Sequence, residues 1–147
     1  MNPLIRSATP ADQVALSSLD VLARALASAQ RGGPELLSWS LVADLPVVGS
    51  AEWHVAVGDL GGAVVAVARM ERCEDRAVLH QIFTHPQARG VGLGHLLLLD
   101  AQRVARSWGC RGVDAVALPG DRGTKNFFEA HAMKSRLLTV HATLEDS

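Results

Sequence analysis

The strongest constraint on this chain lies at Gln87-Ala88-Arg89-Gly90-Val91-Gly92-Leu93-Gly94, where three glycines alternate between a β-rich stretch and a long amphipathic helical pattern. Glycines can serve bulk packing, but at a strand-to-helix junction they let backbone N–H groups converge on an anion. The missing Cβ atoms permit close approach, and the helix start adds partial positive charge. A diphosphate suits that geometry. Two familiar phosphate loops do not fit: the dinucleotide fingerprint needs Gly-x-Gly-x-x-Gly after a first strand, and the P-loop needs Gly-Lys-Ser/Thr.

The pattern around the loop sets the architecture. Leu4 to Ser7 reads as a short strand, and Thr9-Pro10-Ala11-Asp12 as a helix start with an N-cap, a proline and a carboxylate in the right order. Leu16, Leu19, Leu22, Ala23 and Leu26 give that helix one apolar stripe, ended by Arg31-Gly32-Gly33-Pro34. Glu35 to Ser50, with Trp39 and Leu41, reads as a second short helix or packed loop. Three β-rich runs follow: Trp53–Val57, Ala63–Met70 and Arg76–Thr84, separated by turns at Gly58–Gly62 and Glu71–Asp75.

After the glycine loop, Leu93 to Trp108 is helical with Gly109 as its C′ residue. Val113–Leu118 reads as a strand buried on both faces, Asp121–His131 as a helix and Arg136–Leu144 as a final strand. The expected fold class is α/β (mixed α+β): a central, mixed but mostly antiparallel sheet with helices on both faces. At 147 residues the chain is expected to form one domain over 1–147.

Composition narrows the function. Fourteen basic side chains against fifteen acidic ones give a formal charge of −1, which does not supply the electrostatic attraction of non-specific nucleic-acid binding. Cys73 and Cys110 have no Cys-x-x-Cys spacing and no nearby histidine cluster, so neither a metal site nor a disulfide framework is expected. No apolar run approaches the roughly 18 residues of a membrane span, and Met1–Asp12 lacks a charged region followed by an apolar stretch. A cytoplasmic protein without a membrane or nucleic-acid partner is expected.

The stretch Thr84-x-Pro86-x-x-Arg89-Gly90-x-Gly92-Leu93-Gly94 resembles the acyl-CoA loop of the GNAT superfamily of CoA-dependent N-acyltransferases, with its Gln/Arg-x-x-Gly-x-Gly/Ala core matched at Gln87, Gly90 and Gly92. The element order resembles that superfamily over nearly the whole chain. The resemblance implies a splayed strand pair that admits acyl-CoA. It implies diphosphate binding by Gln87, Arg89, Gly90, Val91, Gly92, Leu93, Gly94 and His95. The strand edge Ile82, Phe83 and Thr84 would pair with the pantetheine arm, as a peptide adds to a sheet.

The family's second signature is matched at Phe127 and Glu129, whereas Asp121, Thr124, Phe128, Ala132 and Met133 depart from it. Asp121 and Phe128 hold positions that, by the resemblance, face the donor. Phe128 stands where the family often carries a tyrosine that protonates the leaving thiolate, and the chain contains no tyrosine at all. A thiol of pKa ~8.5 still leaves as a moderately stable anion.

Amine acylation needs a neutral nucleophile, and an alkylammonium of pKa ~10.4 is only about 0.04% neutral at pH 7. By period two, Val78, His80, Ile82 and Thr84 share a strand face, and in the family that face looks toward the acceptor. His80 is the candidate base, receiving a proton after attack, or else a half-buried strand histidine hydrogen-bonded to backbone. His85 and His131 are weaker candidates, and Cys110 offers a covalent route or simply a small apolar side chain. Glu35, Asp44 and Glu52 read as solvated surface or as attraction for a cationic amine, and Trp39 and Trp53 as core.

The expected function is transfer of acetyl from acetyl-CoA to a primary amine by direct attack in a ternary complex. The acceptor is either a small molecule or a protein. The alternative is a non-catalytic acyl-CoA-binding regulatory or interaction module. One strand after the last helix, where the family often has two, leaves an acceptor site either open or completed by a second subunit, as in a homodimer.

Overall fold

Alternating apolar residues and tight glycine turns build the sheet first. The computed structural model describes residues 2–30, 33–34, 45–117, 121–140, 142 and 144. In it, β1 (Pro3–Ser7), β2 (Trp53–Leu60), β3 (Ala63–Cys73), β4 (Arg76–Thr84) and β5 (Gly112–Ala115) lie in the spatial order β1-β2-β3-β4-β5. The first four pair antiparallel and β4 pairs parallel with β5, as expected for a mixed, mostly antiparallel sheet.

The helices α1 (Gln13–Ser28), α2 (Leu93–Ser107) and α3 (Arg122–Ala130) complete the described framework. Thr9 and Asp12 form a capping box, followed by a short 3-10 turn at Pro10–Asp12 that leads into α1. Gly109 adopts φ +78°, and the Cys110 and Gly109 amides donate to the Ala105 and Arg106 carbonyls, closing α2 with a Schellman motif.

The sheet buries unlike faces. Under α2 it presents Ala56, Ala66, Ala68 and Ala77 to Leu93, Leu97, Leu98, Ala101 and Ala105. Small sheet residues bring the helix close, and each fully buried leucine contributes roughly 2–3 kcal/mol. The opposite face sets Val55, Val57 and Val67 against Leu16 and Leu19 of α1. Of the expected α1 stripe, Leu16 and Leu19 are buried, Leu22 and Ala23 half-buried and Leu26 exposed.

Four expectations are corrected. Residues Gly58-Asp59-Leu60 belong to β2, because β1 pairs with them from the other side, so the turn shrinks to Gly61-Gly62 at φ +63° and +91°. Strand β3 likewise continues to Cys73, leaving Glu74-Asp75 as the turn. Strand β5 covers Gly112–Ala115 and alternates between exposed and half-buried positions, since it is the outer strand of the described sheet and one side lacks a neighbour. Residues 133–140 form no strand, and Leu137, Leu138 and Val140 stand exposed. The expected helix or packed loop at Glu35–Ser50 falls mostly outside the described residues, as do Glu35, Trp39 and Asp44 themselves.

Candidate functional site

Two features of β4 open the sheet. Its pairing with β5 covers only Arg76–Leu79 against Gly112–Ala115, so residues 80–84 have no β5 partner. That is the expected splay. Its register with β3 skips His80: Arg69 faces Gln81 while Met70 faces Leu79. His80 is thus the extra residue of a β-bulge, which re-aims side chains and breaks the period-two alternation.

The expectation that Val78, His80, Ile82 and Thr84 share one face is therefore corrected. Ile82 packs against the α2-side core, whereas His80 contacts residues on the α1 side. There its Nε2 lies 3.0 Å from Glu71 Oε1, and its ring lies 5.1 Å from that of Trp53. His80 is hydrogen-bonded to a carboxylate and not to backbone.

A four-membered cluster fixes the α1 wall behind the bulge. Arg69, fully buried, donates to Asp20 of α1 at 2.7 Å, to the Pro46 carbonyl at 2.8 Å and to Gln81. Gln81 in turn donates to Asp20 at 3.2 Å. Removing a charge from water is offset only where every donor finds a partner, and here no buried side-chain N or O atom among the described residues lacks one.

The glycine loop starts where β4 ends. Pro86–Ala88 forms a 3-10 turn capped by His85, whose Nδ1 accepts the Gln87 amide at 3.1 Å. His85 thus shapes the loop. Ala88 and Leu93 are buried and anchor its two ends. A Cβ on Gly58 would lie 3.0 Å from a Leu93 methyl, so the glycine in β2 is what lets Leu93 seat.

Between the anchors Gly90 and Gly92 take φ +90° and +86°, conformations open to glycine and disfavoured for other residues. Among the described residues no hydrogen-bond acceptor engages the amides from Arg89 to His95, and the Leu96 amide is the first to close a turn, onto the Gly92 carbonyl. A Cβ on Gly90 or Gly92 would meet nothing within 4 Å. The loop is an open cradle of N–H groups at a helix start, which fits a diphosphate.

Cradle, strand edge and α1 wall line a single cleft of ≈ 920 Å³. It brings together His80, Ile82, Phe83, Thr84, Arg89, Gly90, Gly92, Leu93, Gly94, His95, Asp121 and Phe128 from the sequence expectations. Gln87 and Val91 do not line it and are exposed.

Asp121 caps α3, its carboxylate accepting from the Thr124 amide at 3.0 Å and hydroxyl at 2.5 Å. Phe128 is buried in the α2-side core and offers no proton. A Cβ on Gly94 would lie 3.5 Å from the Phe127 ring, an ordinary packing distance that places α3 directly against the start of α2. Cys110 packs half-buried against the α2-side core as a small apolar group, and Glu52 is exposed.

Several lining groups escaped the sequence reading. Ala23, Arg24, Leu26 and Ala27 of α1, with Gln30 just beyond its end, form one wall. His131, a weaker candidate from the sequence, lines the cleft and pairs with His95 at 2.7 Å, a pairing the sequence did not show. Glu71 and Trp53 flank His80. Nothing local to the sequence could reveal these pairs, because the partners lie on different elements; only the α1 stripe, running on to Leu26, carried a signal.

Residues 25–133 match the acetyltransferase (GNAT) family. Among solved structures, the aminoglycoside N-acetyltransferase AAC(6')-Iy in complex with CoA aligns at TM-score 0.70 and 16% identity, over 97% of this chain and 100% of that one. A tetramutant of the BH1408 protein from Bacillus halodurans aligns at TM-score 0.76 and 14% identity, over 96% and 99%. An aminoglycoside acetyltransferase from an uncultured soil metagenomic sample, in complex with sisomicin, aligns at TM-score 0.70 and 14% identity, over 97% of each. A search of curated proteins finds no match.

Proposed function

From the premise that the chain belongs to the GNAT acetyltransferase family, we propose that it transfers acetyl from acetyl-CoA to a primary amine of a small molecule or protein. The observation that carries this reading is the run of unengaged amides from Arg89 to His95, opening on the same cleft as the unpaired edge 80–84 of β4. The amides of the loop hold the diphosphate. The β4 edge aligns the pantetheine arm, with Ile82, Phe83 and Thr84 beside it and Phe128 and the Asp121-capped start of α3 across from it. Gln87 and Val91 shape the loop from outside.

His80 is the proton acceptor in this reading. With its Nε2–H donated to Glu71, the neutral ring keeps the Nδ1 lone pair free. The amine nitrogen attacks the thioester carbonyl, the C–N bond forms, and the nitrogen, made acidic in the adduct, passes its proton to His80. The C–S bond then breaks and the thiolate leaves. Among the described residues no side chain takes the tyrosine's role at Phe128, so in this reading thiolate departure draws its proton from solvent, and turnover is slower than with an acid in place.

The structural neighbours in complex with CoA and with sisomicin support an acyl-CoA donor and place aminoglycosides in the acceptor panel to be assayed. Calorimetry tests the donor: acetyl-CoA at ~100 times its Kd should stabilise the fold by ~2.7 kcal/mol, and Gly92→Glu should abolish binding. Unchanged binding by that variant refutes the site.

A second reading, a non-catalytic acyl-CoA-binding module, is favoured by Phe128 alone. Release of CoA against amines, lost in His80→Ala with donor affinity intact, excludes it; donor binding without release across the panel supports it. A homodimer that completes the acceptor side is the assembly to test by sedimentation; none of the described helices is long and apolar enough to cross a membrane.

A further inference from the structure

The histidine pair at the cradle has only one nitrogen at which it can gain a proton. His131 Nδ1 lies 2.7 Å from the Phe127 carbonyl, which can only accept, so Nδ1 carries the hydrogen and the neutral ring leaves Nε2 bare. That bare Nε2 lies 2.7 Å from His95 Nδ1, which must therefore be the donor. With Nδ1 protonated, neutral His95 keeps one vacant nitrogen, Nε2. Side chains lean toward the N-terminus of their helix, and His95 sits in the first turn of α2, at the end of the run of open amides.

Resting on the diphosphate reading of the loop, we infer that His95 binds the donor's diphosphate as an imidazolium through Nε2, and that donor binding takes up a proton from solvent. His131 is a positioning residue: it holds His95 in the tautomer and orientation that leave Nε2 for the anion. A bound diphosphate beside the vacant nitrogen favours the charged form of the ring. Among the described residues, the other charged or titratable groups lining the cleft are Arg24 from α1, His80 from β4, Arg89 from the loop and Asp121 at the start of α3. Asp121 is tied to Thr124, and Arg89 points its Nε at the Thr84 carbonyl, 3.4 Å away.

The test is calorimetric titration of the whole protein with dephospho-CoA, which lacks the phosphomonoester that itself titrates near pH 6, at pH 6, 7 and 8 in buffers of differing ionisation enthalpy. The expected result is a Kd that weakens about tenfold from pH 6 to pH 8, with net uptake approaching one proton. His95→Asn should bind with a flat pH dependence and no uptake. His131→Gln, which keeps an acceptor for His95 Nδ1, should retain uptake, and His131→Leu should lose most of it.

Binding by wild-type protein that neither depends on pH nor takes up a proton overturns the inference while leaving the diphosphate site standing. Uptake that survives in His95→Asn assigns the proton elsewhere and overturns it equally. Failure of both CoA and dephospho-CoA to bind at any pH overturns the donor-site reading itself.

Discussion

Ala132, which follows the cleft residue His131, is one of two described non-glycine residues held at positive φ, the other being Glu74. Helix α3 ends in a Schellman motif: the Met133 amide donates to the Phe128 carbonyl at 3.0 Å and the Ala132 amide to Glu129 at 3.1 Å. The motif requires a left-handed residue, and Ala132 supplies it at φ +61°. A residue with a Cβ loses about 1–2 kcal/mol in that conformation. Ala132→Gly removes the strain, and the extra freedom of glycine in the unfolded chain takes back about 0.4–1 kcal/mol. The net expectation is a stabilisation of ~1 kcal/mol, or a rise in Tm of roughly 2–4 °C for a chain of this length.

Urea titration followed by tryptophan fluorescence reads the first quantity and a thermal melt the second. Gly109→Ala is the mirror experiment, because Gly109 holds the matching position after α2 at φ +78°, and it should destabilise by a similar ~1 kcal/mol. An Ala132→Gly protein that is neutral or less stable, together with a neutral Gly109→Ala, would refute the argument from backbone strain.

Asp20→Ala should destabilise by ~3–5 kcal/mol in urea, because it strands the buried Arg69 guanidinium; Asp20→Asn, which keeps an acceptor, should lose less. Gly58→Ala should destabilise by about 1–3 kcal/mol, since the new methyl would lie 2.9 Å from Ala66 Cβ, and it should weaken donor binding by unseating Leu93. Two carboxyls are held below their ordinary range, Asp12 chiefly by hydrogen bonds from Arg6 and Asp100 chiefly by His54. Both bind protons more weakly folded than unfolded. Their stabilisation is complete above the ordinary carboxylate pKa of ~3.9 and is lost as pH falls below it. Urea midpoints at pH 6, 4 and 3 should therefore fall progressively, and Asp12→Asn should flatten the decline.

Where a property depends on neighbours in sequence, the chain could be read directly. The limits of β4, the alternating glycines, the capping box at Thr9 and the C′ role of Gly109 all follow from local chemistry. The bulge at His80 does not. It arises from how β3 and β4 register, with Arg69 drawn to Asp20 and Gln81, and an alternation rule applied to β4 alone cannot include a residue that the partner strand skips. Residues 136–144 erred in the other direction: β propensity describes fit to a pleated, half-buried surface, and the described part of that segment has no strand beside it. The pairing of His95 with His131 joins the starts and ends of two helices distant in sequence, so only the folded arrangement brings it into view.

On the proposed function, recognition in the cleft divides by chemical type. The half facing the glycine loop and the β4 edge works through main-chain groups, which any sequence able to hold the same dihedral angles will present again. The half around His80, which Glu71 and Trp53 flank, would work through side chains, each replaceable in a single step. Substitutions can thus retrain one half toward a new recipient while the other goes on reading the same donor, and chemistry can diversify on this scaffold without relearning its first substrate.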